Sequence, residues 1–183
     1  MTRTAVYVDG GPFMDAVRQM GMSMDMDLMA LLKELASDAD IVAAHYITAE
    51  YPKFPYPAKH RNEKQRLEKF ASQGITIHCC QPQIIGSIFV DRGVEALMTT
   101  SLIVDAVTGA YETALIVSRR GELSPAIKAV KDLGRTIEVA HFKYDLDPVN
   151  PLDAFADKST VITIDQVIAR RISGPKPPAL TSI

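Results

Sequence analysis

The chain holds only two cysteines, and they are neighbours, Cys79 and Cys80. Two adjacent thiols exclude a disulfide framework and lack the spacing of a zinc-binding pair. They read as small, half-buried side chains at the end of a strand. No apolar run approaches the ~18–20 residues that a membrane-spanning helix needs, so no such span is expected. Met1-Thr2-Arg3-Thr4 passes directly into a strand-like run without the regions of a secretory leader, which makes a cytoplasmic location the expectation. An excess of one charge is also missing: 20 Lys and Arg against 22 Asp and Glu give a formal net charge of −2. Attraction to nucleic acid would therefore have to come from a local basic patch. Gly10-Gly11 follows a strand, yet the chain has neither a G-x-G-x-x-G nor a G-x-x-x-x-G-K-[ST] run. Ser101, Ser118 and the histidines show no nucleophile-elbow spacing. His45, His60, His78 and His141 are scattered and form no helical zinc pair.

What is present has the size and balance of one globular domain. The 183 residues suffice for a substantial core, and 47% hydrophobic with 23% charged residues is ordinary. Thr4–Asp9 is a β-branched and aromatic run that ends in the turn-like Asp9-Gly10-Gly11-Pro12. Leu28, Leu31, Leu32 and Leu35 have helical spacing within 27–36. Further strands are expected over 41–47, 75–80, 113–118 and 136–140, and further helices over 58–72, 94–107 and 123–133. The nearly continuous apolar run at 113–118 signals a strand covered on both faces. Strands alternating with helices predict an α/β fold in three layers, α/β/α, with a parallel sheet of about five strands. Tyr51–Pro57 carries three prolines in seven residues and reads as an extended loop, as does the acidic stretch 144–151. Residues 152–171 read as a short helix, an extended segment and a last helix. The single domain is expected over 1–172, with a tail over 173–183.

In an open parallel sheet, ligands bind beyond the carboxyl ends of the strands, where the strand order reverses. Asp9 ends the first strand, Glu95 opens a helix and Glu122 follows the fourth strand, so all three are expected near that rim. Clustered carboxylate oxygens are ligands for Mg²⁺ or Mn²⁺, and such a metal activates water and neutralises charge during phosphodiester cleavage. Asp9 has a plainer use as well, capping the turn after its strand.

These segments resemble the NYN domain, in its LabA-like branch of the PIN-like (Rossmann-like) ribonuclease superfamily. Val6-Tyr7-Val8-Asp9-Gly10 matches the family's first strand with its terminal aspartate. Arg92-Gly93-Val94-Glu95 is similar to a Lys-Gly-Val-Asp segment, with glutamate for aspartate. Ser118, Glu122 and Pro125 align with Ser-Gly-Asp-Ser-Asp-Phe-Val-Pro, but Arg119 and Arg120 replace the glycine and the first aspartate. Ser101 stands where the family has another acid, and Asp105 lies one turn later as a substitute. The 131–139 and 155–164 stretches extend the likeness over most of 4–172.

The resemblance implies a domain acting on RNA, as a metal-dependent ribonuclease that uses Asp9, Glu95 and Glu122 to hold Mg²⁺ or Mn²⁺. The alternative is a catalytically degenerate NYN domain that binds RNA or a protein partner through the same cleft. Ser118, Arg119 and Arg120 would hold phosphate, or the arginines would pair internally with Asp9, Glu95 or Glu122. Lys59, Arg61 and Lys64 belong to a basic stretch with Lys53, Arg66 and Lys69, preceded by Tyr51, Phe54 and Tyr56 as stacking candidates. The plain alternative is a solvated helix face. Six methionines from Met14 to Met29 are either core or an adaptable interface for a homodimer or protein partner.

Overall fold

In the computed structural model, residues 1–21, 25–37, 39–85, 88–90, 92–143 and 149–172 are described. Met22 and Met24, part of the 144–151 loop and the 173–183 tail lie outside these residues. Strand β1 (Arg3–Asp9) leads straight into helix α1 (Gly10–Gln19), followed by α2 (Leu28–Leu35) and β2 (Asp40–Ala49). Helix α3 (Pro57–Ser72) and strand β3 (Thr76–Cys80) complete the first half. A short antiparallel pair, β4 (Gln83–Ile85) and β5 (Ile88–Val90), precedes α4 (Val94–Val107). The second half runs β6 (Thr113–Val117), a 3-10 turn Gly121–Leu123, α5 (Ser124–Asp132), β7 (Thr136–Phe142), β8 (Lys158–Ile162) and α6 (Ile164–Ala169).

The main sheet has six parallel strands in the order β3-β2-β1-β6-β7-β8. The sixth is β8, formed by the extended segment expected after residue 152. Residues 151–155 are turns where a short helix was expected, anchored by the buried Leu152. The chain winds outward from β1 through β2 to β3, then returns to β6 and winds the other way. The strand order therefore reverses between β1 and β6, at the two most fully buried strands.

Two apolar layers enclose the sheet. Val6, Val8, Ala44 and Tyr46 face α1, α2 and α3, where Leu28, Leu31, Leu32, Leu67 and Phe70 pack. Ala5, Tyr7, Ile47 and Ile116 face α4 and α5, through Val94, Met98, Leu102, Ile127 and Val130. This is the period-two alternation of a strand read against two helical layers. Among the methionines, Met14 and Met26 are buried, and Met20 and Met29 pack against the same core.

A further departure from the sequence reading is α1. Gly10-Gly11-Pro12 has turn chemistry, yet it forms a helical first turn. Proline is tolerated there because a first-turn residue needs no intrahelical N–H bond. Burial of Phe13, Met14, Ala16 and Val17 then holds the helix on the sheet. Gly10 is needed for a close approach: a Cβ would lie 2.5 Å from the Tyr46 ring and 2.9 Å from the Thr48 Cβ. The Tyr46 hydroxyl donates to the Gly10 carbonyl at 3.1 Å, closing this contact.

Gly10→Ala is expected to lower the free energy of unfolding by about 1–3 kcal/mol, the usual cost of overpacking a tight core. A urea titration would show a lower midpoint at unchanged slope; an unshifted midpoint would show that the β1–α1 junction yields freely.

Candidate functional site

The reversal point places the ends of β1 and β6 side by side, and Asp9 and Ser118 meet there. Asp9 has no solvent exposure. Its Oδ2 accepts from the Ser118 hydroxyl at 3.0 Å and from the Arg120 Nε at 2.6 Å. The same guanidinium pairs through Nη1 with Glu95 Oε1. Glu95 sits in the first turn of α4, entered through Gly93 at a φ of 98°, a left-handed conformation that favours glycine. Arg120 is thus clamped between the two acids by two elements distant in sequence. Its own backbone N–H donates to the Ser118 hydroxyl at 3.1 Å, so Ser118 links the carboxylate to the loop.

Arg119 turns away from this cluster. Its Nη1 donates to the Phe142 carbonyl at 3.2 Å and its Nη2 to the Val149 carbonyl at 3.0 Å. Asn150, 1% exposed, donates to the Ser118 carbonyl at 3.3 Å from the same side. Together they brace the loop after β6 against the loop after β7. Glu122 is exposed in the 3-10 turn and has no ion pair among the described residues. Among those residues no three His, Cys, Asp or Glu side chains are arranged to hold a metal ion. The sequence-derived acids are therefore brought together in part. Asp9 and Glu95 share one cation, while Glu122 stands outside that pairing.

Asp105 does not replace the acid missing at Ser101. It lies ten residues beyond Glu95, about 15 Å along the helix axis, and accepts from the Tyr7 hydroxyl at 2.6 Å. A polar string unmarked by any sequence motif runs here beneath α4. His45 stacks on Tyr7 with ring centres 5.1 Å apart, and its Nδ1 lies 3.0 Å from His78 Nε2. Burial, then the neighbouring Asp105, raises the Tyr7 phenol well above its usual range. Burial also lowers the His45 pKa below the ordinary 6.5, against an opposing pull from Asp105. The available signal was strand alternation: Tyr7 lies two residues before Asp9, on the same face of the sheet.

The basic stretch on α3 divides in two. Lys53, Lys59, Arg61 and Lys64 are exposed, beside Phe54 at 86% exposure. Lys59 lies over the Tyr51 and Tyr56 rings, 5.3 and 5.2 Å from their centres. Arg66 and Lys69 are instead engaged with Glu63 and Asp25. Glu63, an acid within this basic stretch, is 4% exposed and accepts from the Tyr51 N–H at 2.7 Å.

Two expectations follow. Arg120→Met leaves the Asp9 carboxylate buried without its cation, and should lower stability by about 3–5 kcal/mol in denaturant unfolding. The double variant Asp9→Asn/Arg120→Met should recover most of that loss; equal losses in both would show that the charge pairing is immaterial. For His45, the unfolded chain binds a proton near pH 6.5 and the folded chain only at lower pH. Stability should therefore fall as the pH drops through 6.5. His45→Gln should flatten this dependence between about pH 7.5 and 5.5; an unchanged slope would place its origin elsewhere.

The family model for the NYN domain matches residues 3–163. No curated protein matches the chain. A crystal structure of a protein of unknown function from Vibrio parahaemolyticus superposes with a TM-score of 0.67, covering 90% of this chain and 94% of that one at 17% identity. At that identity the likeness shows the fold alone. The family match spans both halves of the sheet and includes Asp9, Glu95 and Arg120. The chain belongs to the NYN domain family.

Proposed function

We propose that the protein acts on RNA as an NYN domain that holds the strand without cutting it. The observation that carries this reading is Arg120, seated between Asp9 and Glu95 where the family resemblance would put an acid. A guanidinium there compensates charge that would otherwise repel phosphates, and it competes with any divalent cation for the same oxygens. Exposed Lys53, Lys59, Arg61 and Lys64 supply phosphate contacts, and Phe54 supplies a stacking surface. They lie at the start of α3 and in the loop before it, which follows the carboxyl end of β2. The basic surface and the Asp9 cluster therefore belong to the same rim of the sheet. Among the described residues no helix is long and apolar enough to cross a membrane.

The second reading is a Mg²⁺- or Mn²⁺-dependent ribonuclease using Asp9, Glu95 and Glu122. The juxtaposition of Asp9 and Glu95 at the strand-order reversal favours it. The arrangement does not fit a divalent ion as it stands, because both acids are spent on Arg120 and Glu122 is turned to solvent. Metal-bound chemistry would first require the guanidinium to leave.

Binding and cleavage of single-stranded RNA separate the two readings. The wild type should retain RNA with an affinity that falls steeply with salt. Lys59→Gln/Arg61→Gln/Lys64→Gln should bind more weakly, with the log–log salt slope reduced by about 2, at ~0.7 per phosphate contact. RNA should stay intact with Mg²⁺ or Mn²⁺. Metal-dependent cutting that chelator and Asp9→Asn both abolish would overturn the non-cleaving reading and establish the nuclease.

A further inference from the structure

We propose that the cavity between the start of α1, the end of β2 and α3 is a binding site for a phosphomonoester. The RNA part of this proposal rests on the reading above; the free-nucleotide part does not. The cavity has a volume of about 250 Å³ and is walled by Gly10, Gly11, Thr48, Arg18 and Arg66, with Asp15 and Glu63 beside them. That is below the ~300–1,000 Å³ of ordinary small-molecule sites, so it suits a small ionic group rather than a whole cofactor.

The first supporting observation is the uncapped start of α1. Asp9 occupies the N-cap position, yet its side chain makes no capping hydrogen bond. Its Oδ2 is engaged by Ser118 and Arg120 at the reversal point. An aspartate that would ordinarily satisfy the first-turn amides is thereby withdrawn from them. Those amides have no partner within the helix, and they carry the positive end of its dipole. Gly10 and Gly11 of this first turn line the cavity and put no side chain into it, and a helix N-terminus favours an anion.

The second observation is independent of the helix. Thr48 is 5% exposed, lines the cavity and has no side-chain hydrogen bond among the described residues. Its oxygen is not among the buried atoms that lack a partner, so the hydroxyl opens onto the cavity, where it can donate to a ligand oxygen. It is placed here because β2 runs on past the register of β1, pairing Thr48 with Cys79 of β3. Its chain parity is that of Tyr46, on the α1 and α3 face.

The charged groups are consistent with a phosphate. Arg66 has a side chain 12% exposed, gives one guanidinium nitrogen to Glu63 at 3.2 Å, and keeps its Nε buried without a hydrogen-bond partner. Arg18 pairs with Asp15 at 3.2 Å across an exposed helical step, so it can turn to a ligand without leaving a buried charge. The acids oppose an anion only weakly. Glu63 already accepts from the Tyr51 N–H and from Arg66, and burial raises its pKa towards the neutral form. Asp15 is largely solvated. Gly10 directly follows Asp9, so a strand lying on the rim at Asp9 could place a terminal phosphate in this cavity.

The test is calorimetric titration with adenosine 5′-monophosphate against adenosine. Alongside it, gel retention compares 5′-phosphorylated with 5′-hydroxyl RNA of one sequence. Wild type, Thr48→Val and Arg18→Gln are compared after thermal unfolding confirms that each is folded. The nucleotide should bind where the nucleoside does not, and each variant should weaken it by about tenfold, the order of one charge-assisted contact. The 5′-phosphate should strengthen RNA binding by a similar factor, and that gain should vanish in the variants while 5′-hydroxyl RNA binds Thr48→Val as it binds the wild type. Nucleotide binding without a 5′-phosphate effect would support the site with a free nucleotide as its ligand. Nucleotide binding without any RNA retention would keep the site and discard the RNA reading. No preference for nucleotide over nucleoside, or binding unchanged in the folded variants, overturns the proposal. If Thr48→Val does not fold, the exposed Arg18→Gln carries the comparison.

Discussion

A carboxylate with no solvent exposure stands at the end of the central strand, and the geometry of the rim depends on its neutralisation. An unpaired charge at Asp9 would cost several kcal/mol. Arg120 and Ser118 remove that cost, and in doing so they draw the loop after β6 inward. The loop keeps this course because Asn150 and Arg119 tie it to the chain after β7. Glu95 joins from the first turn of α4, so one guanidinium connects two strands and a helix from separate parts of the chain. Loss of that cation would be felt in both apolar layers, since β1 is packed on both faces.

The same pairing shapes what surrounds it. Asp9 is held by partners on β6 and its following loop, which leaves the start of α1 without a side-chain cap. One side of the rim is thereby an internally neutralised acidic cluster. The other is lined by Gly10, Gly11, Thr48 and two arginines, and leads through Tyr51 to the exposed cations of α3. A polyanion meets little repulsion on the first surface and attraction on the second. The proposed retention of a strand without metal-centred cleavage rests on this balance.

Much of the fold was legible along the chain. The nearly continuous apolar run at 113–118 marked a strand buried on both faces, and the leucines of α2 had helical period. Alternation of the two element types then implied a parallel sheet. Gly10-Gly11-Pro12 misled because turn residues suit a helical first turn equally well, and only the buried face of α1 decides between them. The β4–β5 pair and β8 are short, and β8 becomes a strand through its register with β7. In the site, Asp9 and Glu95 were recognisable by type and position. Internal pairing of an arginine with Asp9 or Glu95 was one of the open alternatives and Arg120 makes it; which of the two arginines would do so was not legible, because neighbouring arginines look alike in sequence. One turns to the carboxylates, while the other turns to the carbonyls of residues 142 and 149.

The sequence by itself determined the layers, the family and the presence of acids and cations at the strand ends. These follow from local periodicity, turn chemistry and residue type, which act within a few residues. Tertiary structure alone decided which charges meet. Asp9 and Arg120 are separated by 111 positions, and Tyr7 and Asp105 by 98. Parallel crossovers bring such residues together. Burial then sets the terms of their encounter, because a charge removed from water must find a partner among whatever the fold has placed beside it.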